Sequence, residues 1–150
     1  MRQDPGFALR QLVDISERAL SPAINDPTTA VQSIDRVEEL LRLIVSRPLH
    51  DGVHVDADDQ VRLVHLAPTW EGYVRLAFTE IRHYGHASFQ IQRRLRAMAE
   101  RLLDLAPPDR KPPLQLQLRL LDLEMETLFA EHDQEYARTA DPAGMGVYDR

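Results

Sequence analysis

The chain contains no cysteine, which excludes disulfides, thiolate nucleophiles and zinc–sulfur sites and leaves the redox compartment unread. It contains a single tryptophan, too little flat aromatic surface for a platform that stacks the bases of single-stranded nucleic acid. Positive charge is in deficit: 18 Lys and Arg against 24 Asp and Glu give a net charge of −6. No general attraction to phosphate or anionic lipid follows, and nucleic acid is not expected as a partner. No stretch approaches the roughly 18 consecutive apolar residues of a spanning helix, and the opening "MRQDPGFALR" has no apolar signal-peptide core. Nucleophile-elbow, P-loop, dinucleotide-binding and His-Glu-x-x-His patterns are all missing. No catalytic residue, metal site or cofactor is therefore expected.

What is present is helical periodicity. Hydrophobic residues are 43% and charged residues 28% of the 150, a soluble globular composition of a length that fits one core. Asp4 and Pro5 form a helix start, cap followed by first helical position, and Ala8, Leu9, Leu12, Val13, Ile15, Ala19 and Leu20 make one apolar face, predicting a helix over 5–20. The stretch "LSPAINDPTTA" breaks that helix at Ser21-Pro22 and starts another at Asp26-Pro27, extending to about Arg47. Between Pro48 and Pro68 the period changes to two, with Val53 and Val55 facing Val61, Leu63 and His65 across an acidic turn. A small β-hairpin is expected there, one face resting on the helices.

Thr69 caps a third predicted helix that Gly85 ends, and Ser88 caps a fourth that reaches Pro107-Pro108. "PPDRKPP" reads as a stiff linker. The last predicted helix, 114–137, carries leucines on two faces: Leu114, Leu118, Leu121 and Met125 on one, Leu116, Leu120 and Leu123 on nearly the opposite one. Two faces require two coverings, read first as a central helix packed on both sides and otherwise as a seam for a second subunit or neighbouring domain. The fold class is thus mainly α, a bundle of about five helices with one inserted hairpin, residues 1–138 forming the domain and 139–150 a loosely ordered tail.

Candidate chemistry is sparse. Glu80 and His83 have the i, i+3 spacing of a di-iron bundle ligand pair, but no second pair exists. His54 and His65 can meet across the hairpin, without a third ligand at any fixed spacing. Arg93, Arg94 and Arg96, with Arg82 and Arg101 nearby, form one basic cluster, read as pairing with the acidic last helix or as solvated.

The segment "QDPGFALRQLVDISERALSPAINDPTTAVQSIDRVEELL", followed by "VRLVHLAPTW" and "IRHYGHASFQIQRRL", resembles a family of bacterial predicted membrane proteins, domain of unknown function 2254. Positions that carry the resemblance include Gln11, Asp14, Ser21, Pro22, Asn25 to Thr29, Asp35, Tyr84, Gly85 and Ser88. The resemblance implies an inner-membrane setting, with membrane-spanning helices upstream of a soluble part, of which this chain would be either an excised C-terminal piece or a natural short form; it implies no reaction. The leading expectation is an assembly or sensory module whose partners are further copies or other parts of the same membrane protein, with Leu116, Leu120 and Leu123 as interaction face. The alternative is a small-molecule or anion site in a cleft between Ser21–Thr29 and Tyr84–Ser88, lined by Asp14, Asn25, Asp26, Thr28, Thr29, Arg82 and Tyr84. A hydrolase or metal-dependent enzyme comes third.

Overall fold

A computed structural model of the chain describes residues 5–147; the expected Asp4 cap lies outside them. Six helices and one hairpin follow in order: α1 (Pro5–Leu20), α2 (Pro27–Ile44), β1 (Val53–Val55), β2 (Val61–Val64), α3 (Trp70–Tyr84), α4 (Phe89–Leu105), α5 (Lys111–Leu128) and α6 (Glu131–Arg138). Three helix starts form as their sequences dictate. The Asp26 carboxylate accepts from the Thr29 N–H (3.1 Å) and the Thr29 hydroxyl (2.5 Å), Thr69 Oγ1 accepts from Gly72 N–H (3.0 Å), and Ser88 Oγ from Ile91 N–H (3.4 Å). Each satisfies a donor that the first helical turn leaves without an intrahelical partner. Asn25, at φ 47°, supplies the left-handed step that turns the chain from α1 into α2.

α1 and α2 form the expected helical hairpin, α3 packs on α1, and α4 on α2. The central helix is α4, not the last one. Every residue from Ile91 to Ala99 is buried, because α2, α3, α5 and α6 all pack around it. Its polar side chains disguise this in sequence: Gln92, Arg93, Arg94 and Arg96 are all enclosed, although polar residues are mostly found at the surface. The leucine-rich α5 sits at the edge instead, with one face on α4 and α3.

"PPDRKPP" is structure rather than linker. Pro108–Arg110 form a 3-10 turn and Lys111 to Pro113 the first turn of α5, where proline lacks only an N–H that would go unpaired. Arg110 closes the end of α2: its guanidinium donates to the carbonyls of Ile44 and Val45 (both 2.8 Å) and Arg47 (2.7 Å), while its own carbonyl accepts from Trp70 Nε1 (2.8 Å). These bonds answer carbonyls that a helix C-terminus leaves free.

The expected long last helix is two helices, broken where Phe129 and Ala130 take extended backbone. The break lets α6 fold back on α4: the Phe129 ring stacks on Phe89 at 4.4 Å, and Tyr136 meets Phe89 edge-on and lies 4.1 Å beneath the Arg93 guanidinium. Aromatic and cation–π contacts of this kind outweigh the few helical hydrogen bonds given up. The described part of the tail, 139–147, makes hydrogen bonds of its own and to α4. The buried Asp141 carboxylate accepts from the N–H groups of Ala143 (3.2 Å), Gly144 (3.0 Å) and Gly146 (2.6 Å), and the Arg93 carbonyl accepts from Asp141 N–H (3.2 Å). Gly144, at φ +63°, sits where a Cβ would collide with Val31, so glycine is required for the close approach.

The hairpin also departs from expectation. β1 and β2 pair antiparallel, Val53 with Val64 and His54 with Leu63, with a register irregularity at Val55. Asp56 shapes its turn, accepting from the N–H groups of Asp58 (2.9 Å) and Gln60 (3.0 Å). No hairpin face lies on the helices, and all of β2 is exposed, since the six helices already cover one another. Leu95→Ala should therefore cost about 2–5 kcal/mol in denaturant unfolding, whereas Leu63→Ser in the exposed strand should stay within about 0.5 kcal/mol.

Candidate functional site

The residues expected to line a cleft are distributed over three places. Asn25, Asp26, Thr28 and Thr29 form the α1–α2 corner, and there the Asp26 carboxylate is engaged as a cap; its hydrogen bond from Thr29 holds it below the usual carboxylate range. Asp14 lies on α1, accepting from Arg10 Nε (2.6 Å). Arg10 also binds Glu17 (2.7 Å) and, across to α3, Glu80 (2.5 Å); the Asp14 hydrogen bond leads in raising its pKa. Arg82 points the other way and binds Glu124 of α5, while Tyr84 is exposed at the end of α3. A groove of about 460 Å³ contains Thr29, but its walls are α1 and α2 residues such as Leu12, Gln32 and Asp35, without Arg82 or Tyr84.

Glu17 and Glu80 share this seam with one cation between them. Burial, and then the hydrogen bond with Glu80, push the Glu17 carboxyl above its ordinary value. The hydrogen bond from Glu17, and then Arg10, hold Glu80 below its own. The two carboxyls thus titrate apart, Glu17 giving up its proton at a higher pH than Glu80.

The basic cluster is absorbed internally. Arg94, fully enclosed on α4, donates from Nε to Asp35 (2.9 Å) and from Nη2 to Glu38 (2.6 Å), both on α2; Arg101 adds a contact to Glu38 at 3.3 Å. Arg96 binds Asp122 of α5. Gln92 reaches the Glu124 carboxylate (3.3 Å) that also holds Arg82. Self-pairing is thus the outcome, with half of the acidic partners supplied by α2 rather than the last helices.

Two surfaces remain unused by the fold. The first is the outer face of α5, where Leu116 is 44% and Leu123 59% exposed and Leu120 half-buried. The second is the hairpin, whose Val55, Val61, Leu63 and Val64 are exposed and which gathers His50, His54 and His65, one ring nitrogen from each within 4.8 Å of the others. Sequence reasoning found His54 and His65 but missed His50. It precedes β1 in a loop, where no strand periodicity places it; the signal was Gly52, two residues on.

Comparison with known proteins now decides the family. The model of a family described as "Predicted membrane protein (DUF2254)" matches residues 1–101. The chain belongs to this DUF2254 family. It is also 33% identical, over 135 residues, to uncharacterized proteins of Mycobacterium bovis and Mycobacterium tuberculosis; the match covers 87% of this chain and 25% of each relative. The chain thus spans about a quarter of the length of the curated relatives it matches. No solved structure matches. Among the described residues of this DUF2254 domain no helix is long and apolar enough to cross a membrane.

Two measurements test the electrostatics. Glu38→Ala, which strips the enclosed Arg94 of its main partner, should cost about 3–5 kcal/mol in unfolding. For Glu17, a raised folded pKa means stability that is present below the ordinary carboxylate value and lost as pH rises through the raised one. Glu17→Gln lacks that loss, so its stability relative to the parent should improve as pH rises above the ordinary carboxylate value; an unchanging difference would show that the Glu17 pKa is not raised by folding.

Proposed function

We propose that this DUF2254 domain is an assembly module, pairing with a second copy of itself through the outer face of α5. The observation that carries the reading is the seam of Leu116, Leu120 and Leu123, of which the domain's own packing leaves Leu116 and Leu123 exposed and Leu120 half-buried. Their spacing of four and three is that of the apolar positions in a two-helix seam. An antiparallel pairing that sets Leu120 against the partner's Leu123 also brings exposed Arg119 opposite the partner's Glu126, a charge match expected at flanking positions of such a seam. A two-fold contact of this type is self-complementary, so it closes at a dimer. In a membrane protein of this family, pairing would hold two copies side by side at the membrane surface.

The rival reading, a polar binding cleft, has weaker support, because Asp14, Asp26 and Arg82 already have partners within the fold and no observation favours a ligand over them. Light scattering or sedimentation equilibrium tests the assembly reading. The parent should show twice the monomer mass with rising concentration, and Leu123→Asp should weaken association at least ~30-fold, the equivalent of the ~2 kcal/mol that burying an unpaired polar group costs. A parent that stays monomeric throughout, or a Leu123→Asp dimer as stable as the parent's, overturns the reading.

A further inference from the structure

The hairpin poses a separate question. Two strands alone are marginal in water, and here no helix supports them, yet the chain spends specific geometry on holding their root together. Gly52, at φ +82°, occupies a position where a Cβ would collide with the His65 carbonyl, and its own carbonyl accepts from His65 N–H at 2.9 Å. Only glycine tolerates both the left-handed backbone and the contact. The consequence is that the His50 loop is drawn against the residue following β2. His54 pairs with Leu63 in the ladder, so His65, two residues beyond Leu63, lies diagonal to His54 on the same sheet face. Three imidazoles from three segments are thereby stacked, His50 on His54 at 4.7 Å and His54 on His65 at 5.2 Å between ring centres.

We propose that His50, His54 and His65 form a binding site for a divalent transition cation of the zinc class. Three imidazole nitrogens select such cations over magnesium or calcium, which take oxygen ligands. His54 Nε2 and His65 Nε2 stand 3.1 Å apart, close to the ~3.3 Å edge of a tetrahedron with zinc–nitrogen bonds of about 2.0–2.1 Å. His65 is oriented as ligands usually are: its Nδ1 lies 3.1 Å from the Leu66 carbonyl, a bond that places the proton on Nδ1 and leaves the Nε2 lone pair for the cation. His50 Nδ1 accepts from Gly52 N–H at 2.8 Å, so this ring exchanges that bond and swings inward as the site closes. Three ligands leave a fourth position for water or a donor from outside the cluster. Bound there, the cation joins the His50 loop, β1 and the end of β2, fastening a hairpin that the helices do not hold.

Titration of the metal-free domain with zinc, followed by calorimetry, and with cobalt, followed by visible absorption, tests the site. One cation per chain is expected, with the intense absorption of four-coordinate cobalt and slowed amide exchange in residues 53–64. His54→Ala and His65→Ala should each weaken binding by more than the ~10–100-fold that loss of a ligand's supporting partner costs. Gly52→Ala should weaken it while the helical dichroism stays unchanged. Replacing His83 and His86 together, the other adjacent histidine pair, should leave affinity intact. Absence of saturable binding, or equal affinity in His65→Ala, overturns the proposal, as does binding that follows His83 and His86 instead.

Discussion

Everything in this fold is arranged around guanidinium charge that has no route to water. The stretch of α4 from Ile91 to Ala99 is buried throughout, yet carries Arg93, Arg94 and Arg96, so each cation must find its counter-charge or acceptor on a neighbouring segment. Desolvating an ion costs several kcal/mol, and only close, well-aligned partners offset it. Asp35 and Glu38 therefore fix α2 against α4, Asp122 and Glu124 fix α5, and the Thr139 carbonyl, accepting from Arg93 Nε at 2.9 Å, fixes the end of α6. The apolar core supplies most of the driving force, but it would tolerate helices sliding along one another. The charge pairs would not, because a shift of one turn leaves a buried cation alone.

The same economy explains what stays outside. With α4 in the middle, α1, α2, α3, α5 and α6 need cover on only one side; α2, α3 and α6 expose mainly polar residues, while α1 also leaves Phe7 and Ile15 exposed. α5 and the hairpin do not follow this rule. Exposed leucines on α5, and exposed valines on one face of a two-stranded ribbon with Leu63 on the other, are larger apolar surfaces than the fold itself uses. The proposed seam on α5 and the proposed cation site on the hairpin both lie on these surfaces.

Local punctuation was the most legible part of the sequence. Asp26, Thr69 and Ser88 cap the helices they precede because a side-chain oxygen reaches an N–H three residues away, whatever the remainder of the chain does. The turn from β1 to β2 and the stop at Gly85 were equally readable. The polar corner at Ser21–Thr29, prominent in sequence, owes that prominence to its work as a helix break and restart. Less legible was the role of polar residues at a distance. Arg93 and Arg94 could be read only as pairing with the acidic last helix or as solvated, because nothing within one turn of them announces Asp35, Glu38 or Thr139. The Phe129 break was hidden for the same reason, its cause being Phe89, forty residues earlier. His50 escaped notice because its loop has no strand periodicity, and only the contact of Gly52 with His65 draws that loop against the end of β2.

By itself the sequence determined that the chain is helical, where most helices begin and end, and that one leucine face would lack cover from a single neighbour, since all of these rest on periodicity and on bonds spanning three or four residues. Tertiary structure alone decided which helix is central, which charges are buried together, that the last helix folds back, and that three histidines meet at the root of an unsupported hairpin. Those outcomes depend on pairings between segments tens of residues apart, and the burial and charge compensation that select them exist only once the helices have packed.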